Sequence, residues 1–396
     1  MRKKAGILTL YHGNYNFGGL LQAYALPAVI QQKFHVDAEQ IDYCGLREAA
    51  DNPASKREKR ASLLGCLYMM AYSAGILFFS RLTKRKLKKR EHAFEKFMDE
   101  IPHSEKIYDY NTISACLERY EILICGGDQI WNDNLCGIKN TKIYTLQFAS
   151  GNIRKIAYAP SMAISKTTEQ FADVMREGMN QLDAISIREK RSLPLLQPLT
   201  NKRIEVVVDP VLLLKEDDWL KVIRCPQIGQ KYILCYLLGD NLQQRKAVKR
   251  FSSHTKCKTV TFPHILCNVV RKCDLFFGDI QNYDGPREFL GLIQNAELVI
   301  TDSFHACVFS MIFETPFEVF ERNKIGEKGN MNSRIYDFLE EYHLERQLVT
   351  EEQLAEMNDI PKVDFTYAQD HWKKRRQESL TYLESALKDD NNGAKQ

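Results

Sequence analysis

From Leu298 to Phe317 the chain reads Leu-Val-Ile-Thr-Asp-Ser-Phe-His-Ala-Cys-Val-Phe-Ser-Met-Ile-Phe-Glu-Thr-Pro-Phe. A β-rich run, Leu298–Thr301, leads into a polar elbow, Thr301 to His305, and then into a helix that must end before Pro316, because proline cannot continue a helix and extends the residue before it. Within the elbow, His305 is the side chain that ordinarily changes charge near neutrality and can give or take a proton. Asp302 and Ser303 stand beside it as polar contacts. Polar residues between a strand and a helix of an open α/β sheet converge where helix N-terminal amides meet the ends of the strands, which is where such sheets bind ligands.

The same pattern recurs upstream. Strand-like Ala5–Tyr11 feeds a loop holding Asn16, Gly18 and Gly19, before a helix near Leu20. This loop suits a phosphate or carboxylate, or is a plain tight turn, since GxGxxG spacing is absent. Glu121–Gly127 ends in glycines and is followed by Asp128, Gln129 and Asn132; Lys155–Ala159 is followed by Pro160 and Ser161; Ala184–Ile187 is followed by Arg188 and Glu189. A planar guanidinium such as Arg188 can hold a carboxylate or phosphate through two parallel bonds, or be a surface ion pair. Asp128 suits an acceptor contact or a helix N-cap.

These strand–turn–helix units need a large scaffold. A chain of 396 residues exceeds one ordinary core, so two domains are expected. The second opens at Ile204–Val208 after a Pro-rich loop (193–203) and continues through Tyr232–Leu238, a helix over 241–251 and a strand over 259–262. With 44% hydrophobic and 27% charged residues the composition is that of a globular protein, and a net charge of +4 is too mild to imply nucleic acid. Eleven cysteines are scattered in apolar settings, as reduced core thiols of a cytoplasmic protein are. The basic start Arg2-Lys3-Lys4 is followed by too short an apolar run for an export signal.

Residues 51–100 change character. Leu63–Phe79 carries no charge, and seven of the ten residues 81–90 are Lys or Arg. Basic flanks on both sides (Lys56, Arg57 and Lys59, Arg60 as well) disfavour a transmembrane span, leaving a helical insertion packed on its own domain or, through 63–90, a peripheral contact with the inner leaflet of the cytoplasmic membrane. The spacing of His254, Cys257, His264, Cys267 and Cys273 mimics a zinc site, but a predicted strand between Cys257 and His264 argues against it; no metal is expected.

Taken in order, Asn16-x-Gly18-Gly19 with Leu21-Gln22-Ala23-Tyr24-Ala25-Leu26, Gly127-Asp128-Gln129-Ile130-Trp131-Asn132, Ser186-Ile187-Arg188-Glu189, Asp209-Pro210-Val211, Gly285-Pro286-x-Glu288-Phe289, Thr301-Asp302-Ser303-Phe304-His305 and Asn332-x-Arg334-Ile335 resemble the polysaccharide pyruvyl transferase family. The resemblance implies an α/β fold with two Rossmann-like domains facing each other across a GT-B-like cleft: an N-terminal domain over 1–200 with the insertion at about 51–100, a C-terminal domain over 204–345 carrying the elbow, and a helical tail, 346–396, packing back toward the first domain. It implies transfer of the pyruvyl group of phosphoenolpyruvate onto two hydroxyls of a sugar, in a cell-surface polysaccharide or a precursor that is lipid-linked or free, with release of phosphate and without a cofactor. By that likeness Arg188 and His305 hold and activate phosphoenolpyruvate.

Three departures stand out: Ser303-Phe304-His305 where many relatives carry Arg-Leu-His, Gly126-Gly127-Asp128-Gln129 in place of Gly-Ser-Asp-Gln, and Ala306 in place of Gly. The first removes a cation, for which Arg322 and Arg334 are the replacements on offer, unless they are surface charges of a helix. Two other readings remain open: a glycosyltransferase of the same architecture using a nucleotide sugar, and a non-catalytic subunit binding a sugar or lipid carrier.

Overall fold

The computed structural model describes residues 3–45, 84–164, 166–266, 269–322 and 332–388. The first half of the chain forms a parallel sheet from β1 (Lys4–Leu8), β2 (Asp37–Tyr43), β3 (His103–Tyr108), β4 (Ile122–Gly126), β5 (Arg154–Tyr158), β6 (Ala184–Ile187) and β7 (Ile204–Val206), in the order β3-β2-β1-β4-β5-β6-β7. The second half holds β8 (Tyr232–Tyr236), β9 (Lys258–Thr261), a small hairpin of β10 (Ile265–Leu266) and β11 (Val269–Val270), then β12 (Ile280–Gln281), β13 (Leu298–Thr301) and β14 (Phe317–Val319). Its parallel sheet runs β12-β9-β8-β13-β14. These are two Rossmann-like domains, α/β as the sequence implies.

Sheets covered on both faces require strands with apolar residues on both sides. In β1, Ala5 and Ile7 join a core that runs between the two domains while Leu8 joins the core on the outer face; in β4, Ile122 and Ile124 divide from Leu123 and Cys125 in the same way. In β8, Tyr232, Leu234 and Tyr236 face the shared core, and Ile233 and Cys235 face a third, smaller one.

The helices are α1 (Phe17–Phe34), α2 (84–100), α3 (Asp133–Tyr144), α4 (Glu169–Gln181), α5 (Leu193–Leu196), α6 (Glu216–Leu220), α7 (Leu242–Thr255), α8 (Pro286–Gln294), α9 (Phe304–Ile312), α10 (Ser333–Glu341), α11 (Glu351–Glu356) and α12 (Thr366–Leu387). Helix α1 begins at Phe17, three residues ahead of the sequence expectation, because the Asn16 side chain caps it by accepting from Gly19 N. Pro27 inside α1 has no N–H for the Ala23 carbonyl; Gln40 Nε2, fully buried on β2, donates to it instead at 2.8 Å.

The halves meet in an aromatic cluster. Phe17 stacks on Phe289 of α8 at 4.4 Å and packs edge-on against Phe262 at 5.0 Å, and Phe94 of α2 closes on it at 4.9 Å. Arg90 lies 4.9 Å over the Phe17 ring and donates to Pro263 O at 2.8 Å, so α2 bridges the two domains. Burial pushes the Arg90 guanidinium down to about 10.

Two boundaries differ from the sequence expectation. Ile204–Val206 does not open the second domain: it pairs with β6 and closes the first sheet, since an edge position was still available to it there. The tail also splits. Helix α11 stays on the second domain, its Leu354 in one cluster with Val248 and Phe251. Helix α12 returns to the first: Trp372 Nε1 donates to Leu212 O, Arg375 Nη2 to Val206 O and Tyr382 OH to Ala157 O, all within 3.0 Å. The Pro-rich loop contains the short helix α5. The stretch 63–79 lies outside the described residues, and among those described no helix is long and apolar enough to cross a membrane.

Candidate functional site

The elbow is held from below. Thr301 Oγ1 donates to Tyr236 O at 2.7 Å and accepts from Ser303 N, while the buried Asp302 carboxylate accepts from Leu238 N at 2.7 Å and Gly239 N at 2.6 Å. These bonds tie the ends of β8 and β13 together and aim the first turn of α9 at the other domain. Ser303 takes the N-cap position of α9, and its side chain makes no capping bond.

His305, on that first turn, lies against Gly18. A Cβ at Gly18 would clash with His305 Nδ1, so the close approach of the two helix starts favours glycine there. The other ring nitrogen, Nε2, is 3.6 Å from Asp209 Oδ2. Asp209 follows β7, caps the turn after it by accepting from Val211 N at 3.0 Å, and meets Arg188 Nη1 at 2.5 Å. Arg188 Nε donates to Glu189 at 3.1 Å, and Ser161 Oγ donates to the same carboxylate. Phe304 supplies an apolar floor, with the Arg188 guanidinium 4.8 Å and that of Arg334 6.0 Å from its ring centre.

The electrostatics follow from this packing. Burial alone would raise the Asp209 carboxyl, but Arg188 and then His305 outweigh it and hold it well below the usual carboxylate range. Burial would lower Arg188, and Glu189 and Asp209 more than reverse that. Arg334 has less help: burial, then the like charge of Arg188, push it down to about 10 against the pull of Asp128, which stands 3.9 Å away. Arg334 Nε is buried without a hydrogen-bond partner, whereas Arg188 Nη2 and His305 Nε2, which make no hydrogen bond either, already face Glu189 Oε1 at 3.1 Å and Asp209 Oδ2 at 3.6 Å. A buried guanidinium donor without a partner favours an anion.

The candidate residues therefore fall into two groups. His305, Arg188, Gly18, Ser161, Asp128 and Arg334 converge. The side chains of Asn16, Gln129, Asn132 and Asp302 are engaged in scaffolding: Asn16 caps α1, Gln129 Oε1 accepts from Asn132 Nδ2 at 2.8 Å, and Asn132 caps α3 by accepting from Asn134 N. Gly19 and Gly127 serve close packing, since a Cβ would meet Asn14 at the one and Gln22 at the other, and Gly127 has φ +87°. Arg322 donates to Asp302 O at 2.8 Å. Neither Arg322 nor Arg334 is a surface charge; Arg334 is 6% exposed. Asp209, Glu189 and Phe304 are absent from the candidate site residues read from sequence, although all three stand in motifs quoted there. Among the described residues no group of three His, Cys, Asp or Glu side chains is placed to hold a metal; Cys267 lies outside them.

The family model for polysaccharide pyruvyl transferases matches residues 16–323, which contain the elbow, the Arg188 segment and both glycine loops. The chain belongs to that family. No curated protein sequence matches it. Among solved structures, the UDP-GlcNAc 2-epimerase of Methanocaldococcus jannaschii is similar over 96% of this chain and 100% of its own, at 12% identity and a TM-score of 0.52. The family member described here thus shares the two-domain fold with that epimerase. MurG of Acinetobacter baumannii aligns over 97% and 98% of the two chains, at 7% identity and a TM-score of 0.41.

Proposed function

We propose that this pyruvyl transferase family member moves the pyruvyl group of phosphoenolpyruvate onto two hydroxyls of a sugar in a cell-surface polysaccharide or its precursor. The observation that carries the reading is the His305–Asp209–Arg188 chain, seated against Gly18 of the opposite domain, beside a second buried guanidinium, Arg334. Arg334 Nε leaves a donor for the carboxylate or phosphate of phosphoenolpyruvate and takes over from the cation that Ser303 lacks, while Arg188, held by Asp209 and Glu189, adds its charge beside it. His305, oriented by Asp209, gives a proton to the methylene carbon of phosphoenolpyruvate. A C–H bond forms, the double-bond electrons are used, and the neighbouring carbon becomes an oxocarbenium centre. One sugar hydroxyl attacks it and loses its proton to Asp128. The C–O bond to phosphate then breaks with its electron pair going to the phosphate, which departs with the proton from Asp128 and leaves a second oxocarbenium centre. The second hydroxyl attacks that centre, closes the ketal and gives its proton to His305, so both residues return to their starting state. No metal or cofactor enters this sequence. The donor is a cytoplasmic metabolite, so the reaction belongs on the inner side of the membrane. A lipid-linked acceptor would meet the exposed cations of α2, Lys84 to Lys89, at the anionic leaflet.

The test is phosphate release from phosphoenolpyruvate with a panel of lipid-linked and nucleotide-linked sugars. Wild type should release phosphate in an acceptor-dependent way, and His305→Ala should lower the rate by about 10²–10⁴-fold, with heat stabilisation by phosphoenolpyruvate retained. Stabilisation by a nucleotide diphosphate alone, with no release, would move the reading to a glycosyltransferase.

A further inference from the structure

Beyond Arg188 the surface opens into a cavity of about 740 Å³, within the range of small-ligand sites. Arg188, Arg191, Leu193, Asp337, Glu341 and Arg375 are among its lining residues. A second cavity of about 400 Å³ adjoins it, also lined by Arg191 and Glu340, with Tyr336 in its wall. Together they form a groove across α10. Arg334, Asp337 and Glu341 follow i, i+3, i+7 spacing and share one face of that helix, so the face that carries a site cation continues along the groove.

The chemistry of the wall selects the occupant. Arg191 pairs with Asp337 and Glu340, each at 2.8 Å, and Arg375 pairs with Glu341 at 2.6 Å. Arg188 is likewise engaged by Asp209 and Glu189. A free anion would have to displace these carboxylates. Sugar hydroxyls both donate and accept, and bind at the edges of such pairs without breaking them. Leu193, Val206 and the Tyr336 ring offer apolar surface for the C–H faces of the sugar rings. Two cavities in line suit a chain of sugars better than one compact molecule.

We propose that this groove is an extended saccharide subsite, which holds the sugars next to the one that receives the pyruvyl group. The proposal rests on the pyruvyl transfer reading for the direction of the chain; saccharide binding can be tested without it. The full chain is applied to an array of defined bacterial surface saccharides of one to about six sugars, as wild type, as Leu193→Trp, which narrows the first cavity, and as Arg191→Gln, which opens the bridge between the two. Wild type should bind longer saccharides more tightly than their terminal sugars. Both variants should lose that length preference, by about tenfold in affinity for the longer members, the scale of one or two lost contacts, with unchanged heat stabilisation by phosphoenolpyruvate. If Leu193→Trp fails to fold, Arg191→Gln decides alone. Equal binding across lengths, length preference intact in the variants, or no saccharide bound by wild type would each overturn the subsite. Length-dependent binding without phosphate release would keep the groove and sink the pyruvyl transfer.

Discussion

His305 owes its position to two residues from the other half of the chain, Gly18 under the ring and Asp209 at Nε2. Asp209 also neutralises Arg188, with both side chains buried. Asp209→Asn keeps the size and removes the charge, so Arg188 is left buried with Glu189 as its remaining counter-ion. Breaking a buried pair in this way costs about 3–5 kcal/mol, which denaturant unfolding at pH 7 should show. Because the folded carboxyl lies below its unfolded value, its stabilising contribution is present above the ordinary carboxylate range and is lost as the pH falls through and below it. The wild-type advantage over Asp209→Asn should therefore shrink at acid pH. Phosphate release should fall with it, mainly in kcat, since Asp209 acts through His305. At this scale the sequence singles out His305 and Arg188, which the fold brings together. It cannot show that an aspartate far away along the chain stands beside the histidine.

Strands carry their burial pattern openly, and β14 tests it. Phe317 and Val319 point into the core shared by the domains, so Glu318 must point the other way, and that face is covered as well. Its Oε2 has no hydrogen-bond partner, and burial pushes the carboxyl up to about 8. Here the folded value exceeds the unfolded one. Stability is then full below the ordinary glutamate range and is lost as the pH rises toward about 8. Glu318→Gln should remove that slope and stabilise the protein by a few kcal/mol at pH 9, with little change at pH 4, on the scale of roughly 1.4 kcal/mol for each pH unit of displacement. Unfolding curves at the two pH values check it. A two-residue alternation predicts which side Glu318 faces, but whether another element covers that side is not a property of the strand.

Besides the aromatic cluster, the two domains approach closely at one glycine beside His305. Gly18 lets α1 of the first domain reach α9 of the second, above the stack of Phe17 on Phe289. Gly18→Ala adds a methyl group that must push His305 out of line or part the domains. Acceptor-dependent phosphate release should drop at least about tenfold, as misplacement of a reacting group by an ångström allows, while far-UV circular dichroism stays that of the wild type. Full activity in Gly18→Ala would mean that the enzyme works in a more open state. The two parallel sheets, the polar strand ends and the family are legible in the sequence, because apolar runs, turn residues and ordered motifs are local and additive. Tertiary structure alone decided that β7 completes the first sheet, that Arg334 is buried beside Asp128, and that Asp209 stands between Arg188 and His305. Each of those depends on which distant surfaces exclude water from one another, and periodicity along a single segment carries no record of its partner.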